Sequence, residues 1–230
     1  NIMGSIALLP FKTKVVINFT GLGSLFTDKK YKFLKVFYIQ IIKIIRKKIS
    51  YIILQNEYDY RYLRLNKIFI EKQLLIVRGS GIDCDYFTCQ DSIYKKNKYK
   101  FLFLSRIKKE KGIDLFIEAI KYFNLKSSFK ADFLIAGPFE SNEIYLKKTI
   151  FDLESEFSNV KYLGNINNPK KILEKADVFV LPSIREGTSR TLLEAMSMKR
   201  LIIGSNKPGI KSLIKNDNGF IFKKYHYKSL

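Results

Sequence analysis

Nine short, largely apolar runs recur along this chain, and most lead into a longer stretch with helical periodicity. No other feature limits the fold as much. The runs lie at 14–20, 51–54, 74–77, 101–104, 133–136, 160–164, 177–181, 201–203 and 219–222. Runs such as Val15-Val16-Ile17, Ile52-Ile53-Leu54 and Val178-Phe179-Val180-Leu181 do not alternate with polar residues. That is the pattern of strands covered on both faces, hence of a parallel sheet. Helical stretches are expected at 29–48, 57–65, 113–122, 142–157, 169–175 and after Ser189, so strand and helix alternate as in α/β folds. The alternation stops after Val77, where Arg78-Gly79-Ser80-Gly81-Ile82-Asp83 leads into a polar segment, and resumes at Tyr99. The expected organisation is therefore a first domain over 1–82, a linker over 83–98 and a second, doubly wound domain over 99–230.

Ligands of doubly wound sheets sit beyond the carboxyl ends of the strands. At the end of run 177–181 the chain reads Pro182-Ser183, then Arg185-Glu186-Gly187-Thr188-Ser189-Arg190-Thr191-Leu192-Leu193-Glu194-Ala195-Met196. A helix start offers backbone N–H groups to an anion. Two carboxylates beside it, Glu186 in the loop and Glu194 in the helix, accept hydrogen bonds from hydroxyls. Together they suit a polyhydroxylated, phosphorylated ligand, as a sugar nucleotide is. Thr191 and Glu194 also fit a Thr-x-x-Glu capping box, which would make Glu194 structural. After run 101–104, Arg106 and Lys111 lie in the loop before the next helix, where a guanidinium and an ammonium can neutralise a diphosphate. Surface placement is the competing reading on a chain with 42 Lys and Arg. Gly21-Leu22-Gly23 follows the first run but lacks the third glycine of a dinucleotide fingerprint.

Charge adds a further constraint. The net charge is +21, with +11 carried by residues 1–82 and +10 by 83–230. An excess of this size favours polyanions such as lipid headgroups, nucleic acid or phosphorylated substrates. Between Lys29 and Lys48 the pattern reads as one basic amphipathic helix, with Lys32, Lys35, Lys43, Arg46 and Lys47 on a stripe and Phe33, Leu34, Phe37, Ile41, Ile42, Ile44 and Ile45 filling the rest. Such a helix can lie on an anionic bilayer, or cover the sheet with a solvated face. No uncharged apolar run reaches the roughly 20 residues a membrane-spanning helix needs. Cys84 and Cys89, with a single distant His226, are too few for a zinc site and read as free thiols.

With these residues assembled, the chain resembles the retaining GT-B glycosyltransferases of family 4, the group 1 glycosyltransferases. The resemblance rests on Phe103-Leu104-Ser105-Arg106 with Lys111-Gly112, Ile135-Ala136-Gly137, Tyr162-Leu163-Gly164, Leu181-Pro182-Ser183-x-x-Glu186-Gly187, Leu193-Glu194-Ala195-Met196 and Asn218-Gly219-Phe220. In the front part, Asn1-Ile2-Met3-Gly4, Thr20-Gly21-Leu22-Gly23 with Phe26-Thr27, and Gly79-Ser80-Gly81-Ile82-Asp83 are similar to the polysaccharide-building subgroup. It implies two Rossmann-like doubly wound domains, the first only partly present, in a piece lacking the start and the last helices of the family. It also implies transfer of a hexosyl or N-acetylhexosaminyl group from a nucleotide-sugar donor, UDP-linked, with retention. The acceptor would be a polyprenyl-diphosphate-linked glycan, at the cytoplasmic, inner face of the cell membrane.

The resemblance also assigns roles. Arg106 and Lys111 would hold the donor diphosphate and stabilise the leaving group; Glu186 would meet sugar hydroxyls and Glu194 the ribose. Gly187, Thr188, Ser189, Arg190, Thr191 and Leu192 would line the phosphate and sugar, Gly164 and Asn165 the base. Thr20 and Gly21 would form the acceptor-side loop, with Thr20 where many relatives carry His. No metal or other cofactor is expected, and the partners are the donor, the lipid-linked acceptor and an anionic membrane surface, not nucleic acid. Lys199, Arg200 and Leu201 replace the usual Gly-x-Pro, and the 230-residue piece alone is expected to bind nucleotide weakly without turnover. A basic nucleic-acid-binding module and a non-catalytic membrane-surface remnant are the competing readings.

Overall fold

The computed structural model describes residues 2–8, 10–22, 26, 29–77, 79, 81–89, 97–141, 143–184, 186–215, 217–222 and 226–230. Asn1, Gly23, Thr27, Arg78, Ser80 and Arg185, all named above, lie outside the described residues. By its contacts the chain divides into two compact units, Asn1–Ser80 and Gly81–Leu230.

Unit 1 holds a parallel three-stranded sheet in the order β1-β2-β3, formed by Val15–Phe19, Ile49–Leu54 and Leu74–Ile76. A short helix α1, Ile2–Ala7, precedes it and packs on α2, Lys32–Ile45, which connects β1 to β2. Helix α3, Glu57–Leu65, then leads towards β3. Val15, Ile17 and Phe19 alternate inward and meet Ile42, Ile45, Ile52, Leu54 and Leu63 in one core. The single basic helix expected between Lys29 and Lys48 is divided: α2 is flanked by 3-10 turns at Lys29–Tyr31 and Arg46–Lys48. Its inward side is Ile42 and Ile45. Phe33, Leu34, Val36, Phe37 and Ile44 point out with the lysines. Lys35 leaves the expected cationic stripe, because its ammonium sits 4.8 Å over the Tyr62 ring and bonds the Phe26 carbonyl.

Unit 2 is a six-stranded, wholly parallel sheet in the order β6-β5-β4-β7-β8-β9. The strands are β4 Tyr99–Leu104, β5 Ala131–Ala136, β6 Val160–Tyr162, β7 Val178–Leu181, β8 Leu201–Ser205 and β9 Gly219–Phe222. The connecting helices are α4 Ile113–Lys126, α5 Ile144–Glu156, α6 Pro169–Lys175, α7 Arg190–Ser197 and α8 Pro208–Lys211. One core, with Phe103, Phe116, Phe133, Ile150 and Val180, lies on the face of α4 and α5; the other, with Leu102, Phe179, Leu173, Leu192 and Ile210, lies on the face of α6, α7 and α8. All four residues of β7 are buried, as an unbroken apolar run in a sheet centre requires. Pro208 opens α8 at the helix start, where a missing N–H is harmless. Residues 83–89 of the expected linker pack on this unit: Phe87 is buried in the second core, and its carbonyl accepts from Ser197 Oγ at 2.7 Å.

Candidate functional site

In unit 2 the chain winds outward from β4 through β5 to β6, then returns to the other side of β4 as β7, β8 and β9. The order reverses between β4 and β7, and ligands of doubly wound sheets sit at such a switch point, beyond the carboxyl ends of the strands. The β4 loop closes with a 3-10 turn, Lys109–Lys111, and Gly112 in the left-handed region starts α4. The β7 loop begins Pro182-Ser183. A backbone hydrogen bond, from Ile184 N–H to the Glu110 carbonyl at 3.0 Å, joins the two loops. Beside it the Lys111 ammonium meets Glu186 Oε1 at 2.6 Å, with the side chains 18% and 9% exposed. A pair this enclosed and this short is far less screened than a surface ion pair. Ser183 Oγ donates to the same oxygen at 2.9 Å, and the Ser183 carbonyl accepts from Ser205 Oγ at 2.6 Å.

Arg106 takes another partner. Its guanidinium lies 2.6 Å from Glu140 Oε1, with Lys108 3.7 Å from the same oxygen. The two cations expected to act together on a diphosphate are thus held by different carboxylates, Lys111 inside and Arg106 in the more exposed position. Gly137, after β5, has φ +131, and a Cβ there would lie 1.9 Å from the Ser105 carbonyl oxygen. Only glycine lets the ends of β4 and β5 approach this closely. The Gly137 N–H bonds the Gly164 carbonyl at 2.8 Å, and Gly164 itself has φ +73. Asn165 follows on the surface.

The second carboxylate occupies a separate part of the site. Helix α7 is capped by Ser189, whose Oγ accepts from Leu192 N–H at 3.4 Å. The expected Thr191–Glu194 capping box does not form, because the helix starts at Arg190 and its third amide is that of Leu192, not Glu194. Ser189 and the Leu192 amide are engaged with each other, while the Leu192 side chain is core. Glu194 is freed from capping. It is buried, with Oε1 3.2 Å from Arg190 Nε. Burial raises its pKa above the ordinary Glu value, and the Arg190 charge and hydrogen bond partly oppose this. Arg190, Thr191 and Glu194 floor a cleft of about 580 Å³ walled by Asp83, Tyr86 and the Asn167–Asn168 turn. Asp83 and Tyr86 carry no site signal in the sequence beyond the place of Asp83 at the end of the Gly79–Asp83 stretch. Their placement depends on Phe87 anchoring in the core.

In unit 1, Thr20 and Gly21 follow β1. The next residue, Leu22, donates its N–H to Asp59 Oδ2 at 3.3 Å, and Asn56, the cap of α3, donates to that oxygen at 3.0 Å. Burial raises the Asp59 pKa, while these two hydrogen bonds lower it. The loop after β1 is thereby tied to α3.

Comparison with known proteins then places the chain. The family model for glycosyl transferases group 1 matches residues 89–230. An N,N'-diacetylbacillosaminyl-diphospho-undecaprenol alpha-1,3-N-acetylgalactosaminyltransferase of Campylobacter jejuni is 27% identical over 225 residues, 91% of this chain and 56% of that protein. A UDP-Gal:alpha-D-GlcNAc-diphosphoundecaprenol alpha-1,3-galactosyltransferase of Escherichia coli is 30% identical over 69% of this chain and 44% of its own length. The chain spans about half the length of these relatives. Among solved structures, Anabaena HepE in complex with UDP and glucose superposes with a TM-score of 0.76 at 16% identity, covering 99% of this chain and 62% of that one. Sucrose-phosphate synthase from Thermosynechococcus elongatus gives 0.77 at 16% identity, covering 98% and 59%. The fold is that of the GT-B enzymes, and the chain belongs to the group 1 glycosyltransferases.

Proposed function

We propose that this chain is part of a glycosyltransferase that moves a hexosyl or N-acetylhexosaminyl group from a UDP-sugar, with retention, onto a polyprenyl-diphosphate-linked glycan in surface polysaccharide synthesis. The observation that carries this reading is the Lys111–Glu186 pair at the switch point of unit 2. It sets a cation for a diphosphate beside a carboxylate for sugar hydroxyls, while Glu194 waits in the neighbouring cleft for a ribose. As the bond from the anomeric carbon to the diphosphate oxygen breaks, the electron pair stays on that oxygen, and Lys111 with Arg106 stabilises the charge. The acceptor hydroxyl forms the new bond to the anomeric carbon and gives its proton to the departing phosphate oxygen. Gly187, Thr188, Arg190 and Thr191 line the phosphate and sugar, and Gly164 and Asn165 lie towards the base. No metal is required in this scheme.

Unit 1 takes the acceptor side in this reading, with the Thr20-Gly21 loop facing the glycan. Among the described residues no helix is long and apolar enough to cross a membrane, and in this reading the lipid-linked acceptor is met at the bilayer surface. The outward side of α2 supports this: Phe33 is 90% and Ile44 73% exposed, with Lys32, Lys43 and Lys47 exposed around them. Apolar side chains ringed by ammonium groups are the composition of an interfacial helix on anionic lipid at the cytoplasmic face.

Calorimetric titration of UDP into the chain tests the donor site. Binding that Glu194→Ala weakens at least tenfold is expected, since two ribose hydroxyls lose a charged acceptor. No UDP binding at millimolar concentration, or salt-sensitive oligonucleotide binding that UDP fails to displace, would overturn the reading in favour of a basic nucleic-acid module.

A further inference from the structure

We propose that Ser183 is a positioning residue for the donor sugar. It holds the Glu186 carboxylate in place when the incoming diphosphate draws Lys111 away. This rests on the donor-site reading above and adds to it a residue and an exchange of partners.

Lys111 Nζ and Ser183 Oγ both address Glu186 Oε1, at 2.6 and 2.9 Å. Among the described residues Oε2 carries no partner, so one carboxylate oxygen is anchored and the other is left for a ligand. The two anchors differ in kind. Lys111 is a charged, four-carbon arm that a diphosphate attracts more strongly than a single carboxylate does, because more negative charge is brought to the same ammonium. Once Lys111 turns to phosphate, a carboxylate held only by it would lose its aim.

Ser183 is not free to leave. It is fully buried at the end of β7, with no exposed surface, and its carbonyl is fixed by Ser205 Oγ from β8 at 2.6 Å. The following residue, Ile184, bonds the β4 loop through the Glu110 carbonyl. Its backbone is therefore tied to both neighbouring strands' loops. A short, neutral hydroxyl on such a backbone is a fixed donor that no anion can pull away. The carboxylate is thereby oriented before the sugar arrives, so its hydrogen bond to a sugar hydroxyl is not offset by ordering costs.

Binding distinguishes this role from simple structural support, because UDP lacks the sugar that Glu186 meets. The Kd ratio of UDP to the tighter-bound of UDP-galactose and UDP-N-acetylgalactosamine is measured for wild type, Ser183→Ala and Ser205→Ala, with thermal unfolding of each. The expected result for Ser183→Ala is UDP affinity within twofold of wild type and UDP-sugar affinity lowered about tenfold, the size of one charge-assisted hydrogen bond. Ser183→Cys, which keeps a weak donor, should restore part of the ratio. Ser205→Ala should lower the unfolding midpoint with a smaller change in the ratio. An unchanged ratio in Ser183→Ala overturns the proposal while leaving the donor site intact. Equal losses of UDP and UDP-sugar affinity with a lowered midpoint also overturn it, since that is the mark of a purely structural serine. A wild-type chain that binds no UDP removes the donor-site reading and this proposal with it.

Discussion

Gly209 offers the sharpest steric test of the site. It is the second residue of α8 and is buried beneath the loop that carries Glu186. A Cβ at this position would lie 1.8 Å from the Gly187 carbonyl oxygen and 2.4 Å from that of Glu186. Both neighbours are backbone, so no side chain can rotate away. Restoring a 3.0 Å separation requires a shift of at least 1.2 Å, the difference from the closer contact. Overpacking of this kind costs about 1–3 kcal/mol, and a chain of this size loses roughly 2–4 °C per kcal/mol. Gly209→Ala is therefore expected to unfold about 2–12 °C below wild type by circular dichroism. The same shift displaces Glu186 from its Ser183 and Lys111 partners, and ångström-scale misplacement of a reacting group is costly. UDP-sugar affinity should fall on the order of tenfold or more, and UDP affinity should fall too, because the displaced Gly187 lines the phosphate in the proposed site. Gly4→Ala, where a Cβ meets nothing within 4 Å, serves as the control and should do neither. A Gly209→Ala chain with wild-type midpoint and wild-type donor affinity would refute the reasoning that α8 props the loop from below.

Other consequences follow from individual residues. Glu194 must be ionised to accept from ribose hydroxyls, and burial raises its pKa. UDP affinity should thus decline, as pH is lowered, at a pH above the ordinary carboxylate range, and Arg190→Ala should move that decline further up. Folding stability responds oppositely, because the folded state binds this proton more tightly: the Glu194 contribution rises as pH falls through its folded pKa. A pH titration of UDP binding showing the ordinary Glu range would contradict the burial argument. Lys199 follows α7 with φ +55, a left-handed position that glycine occupies without strain, so Lys199→Gly should stabilise by about 0.5–1 kcal/mol in urea denaturation. Replacing Phe33 and Phe37 by Ser, with Lys32 and Lys43 by Gln, should abolish flotation with anionic vesicles while leaving UDP binding unchanged; flotation that persists would exclude α2 as the docking face.

The strands were the most legible part of the sequence. Continuous apolar runs such as Val178–Leu181 can satisfy water on neither face, so their place inside a parallel sheet follows from composition alone. The site residues were legible as types, because Glu186, Glu194, Arg106 and Lys111 each follow the carboxyl end of a strand. Their partnerships were not. Lys111 and Glu186 are 75 residues apart, and only the strand order that sets β4 beside β7 makes them neighbours. Arg106 is closer still to the end of β4 in sequence, yet the turn after β5 presents Glu140 to it instead.

The helix ends show the same division. Both Ser189 and Thr191 can cap a helix by residue type, and the backbone angle at Ser189, already extended, decides which one does. That choice leaves Glu194 to a ligand cleft and not to capping. Likewise the period of α2 places lysines on one side, but contact with Tyr62 and Phe26 takes Lys35 out of that side. Local pattern therefore determined which segments are strands, which are helices and which loops carry charge. The tertiary fold alone decided which charge meets which, since hydrophobic periodicity is a property of neighbours in the chain and an ion pair is a property of neighbours in space.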